Sequence, residues 1–413
     1  MSRSVIARRA PLIALTSLVL GLGACSGGSS GTPSPTSSST GTSSALTSPG
    51  SSTATTPPAT STSAAEPVGS VTIMAGGDIF TNEGLIARAK ADAGGGGYDF
   101  RPQLIGLKPL VSKADVAICQ LETPLTQSNT NLGHGIVHNS PHQLAPVIRA
   151  TGYDGCSFSN NHTFDNGLTG MVQTRAIMSA NGLQLAGPQD SADGTPGQPA
   201  WYQAGGFKIA QLSYSYTLDN FAEGSQTGTP AAAPFLKKNL FSVIGAQGII
   251  ADAKAARAAG ADIVVVSMHW GTQFKFTPDA DDIALAQQIG QSGAVNWIIG
   301  NHPHVVQGCD KIGAMFVNYG LGNELSDQGT QFGYPVQTQD GIGVIVTFER
   351  AADGTITATQ ERYQPTWVDR LHGYRAYVVP QSGAPSAVDP GSWARTSKLI
   401  TSRGNGCNLS PIS

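Results

Sequence analysis

The feature that most constrains this chain is a repeated one: short apolar runs, each followed closely by a residue that can bind a metal or carry a proton. Val71 to Ala75 leads to Gly76-Gly77-Asp78, and Val116 to Cys119 leads to Glu122. Cys156 to Phe158 leads to Asn160-Asn161-His162, Asp262 to Met268 to His269, and Asn296 to Ile299 to His302 and His304. Such short, largely apolar runs read as strands buried on both faces. Helical spacing separates them over Arg101 to Ala114, Pro141 to Ala150, Leu168 to Ala180, Ile249 to Ala259 and Ala280 to Gln291. In the second of these, Ser140 is the expected N-cap and Pro141 the first helical residue. Ile209 to Tyr214, Phe316 to Tyr319 and Ile342 to Phe348 add further strands. Alternating strands and helices predict an α/β sheet covered by helices. Ligands of such sheets bind beyond the carboxyl ends of the strands, so the polar residues that follow the runs should meet on one rim.

Four of the eight histidines fall in these motifs. Taken singly, each would be an ordinary hydrogen-bonded histidine, and Gly77-Asp78 or Leu121-Glu122-Thr123-Pro124 an ordinary turn. Taken together they form a donor set. Gly300-Asn301-His302-Pro303-His304 projects two imidazoles from one rigid loop, and Ser159 to Gly167 holds Asn161, His162 and Asp165 in one turn. Neutral imidazoles with carboxylate and amide oxygens suit Zn, Mn or Fe better than Ca or Mg. Two ions sharing a carboxylate can generate hydroxide near neutral pH and clamp both oxygens of an in-line displacement. A nearby histidine that is not a ligand can protonate the leaving group, and Asp165, close after His162, is placed to hold that imidazole's tautomer and orientation.

The ordered motifs Gly-Gly-Asp78, Leu-Glu122, Asn-Asn161-His162 with Asp165, His269-Trp-Gly, His302-Pro-His304 and Tyr319-Gly-Leu-Gly-Asn323 resemble the CapA family of poly-γ-glutamate capsule synthesis proteins, relatives of the calcineurin-like metallophosphoesterases. The resemblance runs from about Val71 to Asn323. It implies a four-layer metallophosphoesterase-like sandwich, two mixed β-sheets flanked by helices. It also implies one metal on Asp78, Glu122 and His304, a second on Glu122, Asn161, His269 and His302, and His162 as general acid. Some positions depart from the pattern. Phe80 stands where phosphoesterases carry a second metal-binding histidine, and Glu122 replaces a bridging aspartate. Gln273 and Glu324 stand where relatives carry an acidic residue and a phenylalanine. The expected cofactor is therefore one or two divalent transition ions.

The N-terminus reads as an address. Arg3, Arg8 and Arg9 precede the apolar stretch Pro11 to Leu22, which is signal-peptide anatomy. Leu22-Gly23-Ala24-Cys25 resembles a bacterial lipobox, which implies lipidation of Cys25; a plain secretory signal is the alternative. Of the 43 residues from Ser26 to Val68, 35 are Ser, Thr, Pro or Gly, too few apolar groups to offset the entropy of ordering. The expected organisation is a signal peptide over 1–25, a disordered tether over 26–68, the CapA-like domain over 69–380 and a C-terminal tail of little pattern over 381–413. An exported compartment permits disulfides. Cys119 and Cys156 end neighbouring runs and are candidates to pair, which would leave Cys309 and Cys407 to staple the tail; buried free thiols are the alternative.

His134, His138 and His142 are spaced by four, but Gly135 and Pro141 argue for a solvated loop; a rim binding substrate or opportunistic metal is the sharper alternative. With 24 basic and 27 acidic residues the net charge is −3, which excludes a nucleic-acid footprint. The expectation is a lipoprotein on the outer face of the cell membrane, working on an anionic polymer such as poly-γ-glutamate beside a membrane synthase. It is either a metal-dependent hydrolase or transferase, or a non-catalytic accessory factor that binds the polymer.

Overall fold

A computed structural model describes residues 67–188, 199–220, 233–404 and 406–412. The signal segment, Cys25 and the tether up to residue 66 lie outside the described residues. All described residues belong to the unit Ser63–Ser413.

Two mixed sheets carry the chain. In the first, Gly69–Ile79 is flanked on one side by the parallel strands Val116–Leu121, Gly155–Ser157 and Gln184–Ala186. On its other side run the antiparallel strands Asp340–Arg350, Ile356–Asp369 and Arg375–Val378. The short strands Asn323–Leu325 and Ser410–Pro411 pair in parallel with the end of Gly69–Ile79 and the middle of Ile356–Asp369, respectively. The second sheet runs Cys309–Ile312, Met315–Asn318, Trp297–Asn301, Ile263–His269, Phe207–Ser215 and Ala200–Ala204, parallel in its middle and antiparallel at both ends.

Alternation along each strand assigns its two faces. Val71, Ile73 and Ala75, with Val116 and Ile118, enter the core between the sheets, where Ile263, Val265, Trp297 and Ile299 meet them. Met74, Ala117, Cys119 and Leu121 point the other way, onto Leu85, Leu104, Leu144, Ile148 and Met171 of the helical layer. Val264, Val266, Met268 and Ile298 pack on the helices Phe241–Ala258 and Ala280–Gln291. The architecture is thus helix, sheet, sheet, helix, and the central strands read as continuous apolar runs because neither face meets water. Cys119 and Cys156 are paired residues of adjacent strands and are joined by a disulfide; a second disulfide joins Cys309 to Cys407.

Some local expectations fail for tertiary reasons. Arg101 to Ala114 is not one helix: it breaks into Arg101–Leu104, the 3-10 turn Ile105–Leu107 and Lys108–Val111. Pro109, lacking an N–H, sits at the start of the last piece, where a helix tolerates it. The helix expected from Pro141 begins at Leu144, because Ser140–Pro141 pairs as a strand with Leu125–Thr126. The tail is not patternless. It forms the helix Ser392–Ile400, held by Arg395, whose Nε and Nη2 donate to the buried Asp340 carboxylate at 2.7 and 2.9 Å.

Candidate metal centre

The two sheets turn the carboxyl ends of their parallel strands toward a common rim. Asp78 is the penultimate residue of Gly69–Ile79, and Glu122 follows Val116–Leu121 directly. His269 ends its strand, and His302 and His304 follow Trp297–Asn301. The strand register around Asp78 shifts at Gly76-Gly77. A Cβ on Gly76 would overlap the Glu324 carboxylate, and one on Gly77 the Gly322 carbonyl oxygen, so only glycine admits the bend that aims Asp78. His302 and His304 adopt left-handed backbone, with φ of 96° and 56°. Such strain in non-glycine residues concentrates at functional sites, and here it turns both imidazoles inward around Pro303.

Five of these side chains form two groups of mutually close donors, Asp78–Glu122–His304 and Glu122–His269–His302, with Glu122 common to both. His304 Nδ1 lies 3.3 Å from Asp78 Oδ2, and its Nε2 lies 3.7 Å from Glu122 Oε1. His269 Nε2 lies 3.4 Å from Glu122 Oε1 and 2.8 Å from Asn161 Oδ1, which brings the amide to the second group. All six residues are buried. Asp78 Oδ1, both Glu122 oxygens, His302 Nδ1 and His304 Nε2 have no hydrogen-bond partner. Leaving so many buried polar atoms unmatched is costly, and a divalent cation is the partner that this donor chemistry fits. Surrounding amides hold the rings: Gln120 Nε2 is 3.4 Å from His269 Nδ1, and Asn323 Oδ1 is 3.0 Å from His304 Nδ1.

Electrostatics differ sharply among these histidines. Burial pulls His269 down to about 3 and His302 well below its ordinary value, so both are neutral. Burial also acts on His304, but Glu122, Asp78 and Asn323 outweigh it and raise the imidazole to about 9. Burial raises Glu122 well above the usual carboxylate range, opposed by His304 and reinforced by Asp78 and Asp165.

His162 stands beside the donor groups on a large open cleft of about 1250 Å³, lined also by Asn161, His302 and His304. Its Nδ1 is 2.7 Å from Asp165 Oδ2, the orienting contact expected of that pair. Burial pulls His162 to about 3 and lifts Asp165 to about 7. Phe80 fills its place with a ring, 5.1 Å from the His304 ring and 5.4 Å from that of His162.

The loop of His134, His138 and His142 is not uniformly solvated. His134 is exposed, whereas His138 is buried, its ring 4.3 Å from both Phe80 and His162. The His138 backbone N–H donates to Asp165 Oδ2 at 2.6 Å, so one carboxylate anchors two histidines. Burial is what lowers His138 to about 3. Tyr216, 4.9 Å from the His302 ring, also lines the cleft and had no distinguishing signal in the sequence. Gln273 is on the cleft wall, while Glu324 lies beneath the site, accepting from the Tyr153 hydroxyl at 2.5 Å.

Residues 72–328 match the sequence model of the family described as bacterial capsule synthesis protein PGA_cap. The chain is 27% identical over 225 residues to the PGA biosynthesis protein CapA of Bacillus subtilis, covering 54% of this chain and 56% of that one. It is 25% identical over 231 residues to the capsule biosynthesis protein CapA of Bacillus anthracis, covering 54% and 53%. The match thus spans about half the length of these relatives. A probable polyglutamine synthesis accessory protein of Mycobacterium tuberculosis is 25% identical over 270 residues, 63% of this chain and 68% of that one. Among solved structures, the calcineurin-like phosphoesterase YfkN of Bacillus subtilis is similar at 13% identity and a TM-score of 0.39, over 80% of this chain and 97% of that one. A putative 5'-nucleotidase from Staphylococcus aureus is similar at 12% identity and a TM-score of 0.42, over 80% and 58%. The family match covers well over half of the sequence, including every strand-end motif of the rim: this chain belongs to the bacterial capsule synthesis protein family PGA_cap.

Proposed function

We propose that this chain is an exported, lipid-anchored capsule-synthesis protein that hydrolyses or transfers a bond in poly-γ-glutamate or a similar anionic envelope polymer. The observation that carries this reading is the pair of donor groups sharing Glu122, with one histidine of each, His302 and His304, lining an open cleft. Asp78, Glu122 and His304 would hold one divalent ion, and Glu122, Asn161, His269 and His302 the other. The chemistry such ions supply is a nucleophilic hydroxide near neutral pH and neutralisation of developing negative charge. Asp165 holds the Nδ1 edge of His162 and leaves Nε2 for proton transfer. A buried neutral imidazole is a base at rest; an anionic group arriving in the cleft favours its protonated form, which can then serve a leaving group. Zn, Mn and Fe are the metals this donor set suits. Attachment through Cys25, a reach given by the Ser/Thr/Pro/Gly-rich segment, and cooperation with a membrane synthase complete the proposal. Among the described residues no helix is long and apolar enough to cross a membrane.

The test is turnover. The full chain, reconstituted separately with Zn, Mn and Fe, is incubated with poly-γ-glutamate and with a chromogenic phosphodiester. Metal-dependent cleavage that disappears in His162→Ala and His302→Ala is the expected result; cleavage retained in both variants contradicts it. A second reading, a polymer-binding accessory factor, draws support from Phe80, a ring where phosphoesterases carry a metal-binding histidine. Polymer bound without any turnover would select that reading.

A further inference from the structure

An anionic polymer needs cations, and the walls of the cleft carry the opposite charge. Glu83, Asp279, Asp281, Asp282 and Asp327 line it, and its described lining includes no Lys or Arg. Just past its edge lies Arg370, in the turn that follows the strand Ile356–Asp369. Arg370 is only 6% exposed, yet its Nε and Nη1 have no hydrogen-bond partner. The guanidinium sits 5.0 Å from the Phe332 ring and 5.6 Å from the Tyr374 ring. Gly329 packs so closely that a Cβ there would stand 2.9 Å from Arg370 Nη1. Burial lowers the pKa of the group, against the opposing pull of Asp327 and Tyr374.

Arg370 lines a second cavity of about 320 Å³, beside Thr330, Gln331 and Gln339. The two acids on that wall already have partners. Asp369 Oδ1 accepts the Leu371 and His372 backbone N–H groups at 3.1 and 3.3 Å, and its Oδ2 lies 2.9 Å from His372 Nδ1. Asp389 Oδ1 takes Arg395 Nη1 at 2.9 Å. Arg370 therefore brings two N–H groups without hydrogen-bond partners to this wall, while Asp327 and Tyr374 draw on its charge. Phe332, which its guanidinium faces, belongs to the wall of the large cleft, so the two cavities adjoin there.

We propose that the Arg370 cavity is a carboxylate subsite, holding one carboxylate of an anionic polymer beside the edge of the acid-lined large cleft. One planar guanidinium without a second cation matches a singly charged carboxylate better than a phosphate dianion. The volume is at the small end for ligand pockets, as suits one unit of a chain rather than a whole ligand. Two buried N–H groups kept without an acceptor are a cost that binding would recover. The inference rests on the polymer reading above but not on the metals.

The experiment uses the full chain, treated with chelator so that metals play no part. Calorimetric titration with a γ-linked glutamate oligomer, with glutarate and with inorganic phosphate is paired with thermal unfolding. The oligomer should bind, glutarate more weakly, and phosphate least. Arg370→Met should weaken oligomer binding at least about tenfold while raising the ligand-free unfolding temperature by roughly 1–3 °C, because it removes two buried N–H groups that have no acceptor. Arg370→Lys, which keeps the charge without the fork, should fall between. Three results would overturn the subsite: no oligomer binding by the parent chain, equal binding by Arg370→Met, or a lower ligand-free unfolding temperature in that variant, which would make Arg370 a structural residue. Tighter phosphate than oligomer binding would overturn the carboxylate assignment. Since the metals are absent throughout, a failure here is separate from a failure of metal-dependent turnover.

Discussion

At the scale of single residues, protonation decides what the rim can bind. His304 must lose its proton before Nε2 can serve as a ligand, and Asp78 and Glu122 have raised that proton's pKa to about 9. Metal binding should therefore release at least one proton. Affinity should rise about tenfold per pH unit between pH 6 and 8, or more steeply because Glu122 is also raised. Competition titrations in weak buffer measure both quantities, and a pH-independent affinity would contradict the assignment of His304. Glu324 gives a second prediction. Burial lifts it to about 7 from an ordinary 4.5, so its stabilising contribution is complete below 4.5 and is lost as pH rises through 7. Glu324→Gln should thus gain stability relative to the parent as pH rises from 5 to 8.5, by at most about 3 kcal/mol; denaturant unfolding across that range checks it. Asp78, Glu122, Asn161, His269, His302 and His304 were legible in the sequence because each comes at or just after the end of an apolar run. The burial of His138 was not, because it comes from a loop that folds over Phe80, a contact no local spacing encodes.

At the scale of elements, local pattern identified the central strands and failed where distant contacts decide. Val71, Ile73 and Ala75 alternate with Met74 between two cores, so the first strand was readable from its residues alone. The helix Ser392–Ile400 was hidden because a buried ion pair to Asp340 and a disulfide from Cys407 to Cys309 fix the tail, and both partners are remote in sequence. Arg395→Ala would leave the Asp340 carboxylate buried without its bidentate partner, and should cost about 3–5 kcal/mol in chemical denaturation. The disulfide between Cys119 and Cys156 closes a loop of sequence separation 37 and ties together the two strands that feed Glu122 and His162. Replacing both cysteines with Ala should lower stability by about 3–4 kcal/mol on the chain-entropy account. Denaturation without reductant compares the two proteins directly.

At the scale of the whole molecule, two mixed sheets packed face to face bring strand ends from both to one rim, and no single sheet contributes a complete donor set. Asp78 and Glu122 come from the first sheet and His269, His302 and His304 from the second, with Glu122 alone belonging to both groups. That architecture was foreseen from the resemblance rather than from spacing, since nothing in a run of apolar residues says which sheet it joins. It also fixes the most direct test: metal content of the full chain, purified without chelators or a histidine tag and then offered Zn, Mn or Fe. The account predicts about one to two ions per chain, a partial loss in His302→Ala and the loss of both sites in Glu122→Gln. A chain that takes up no transition metal, or a Glu122→Gln variant that keeps its full complement, would contradict it.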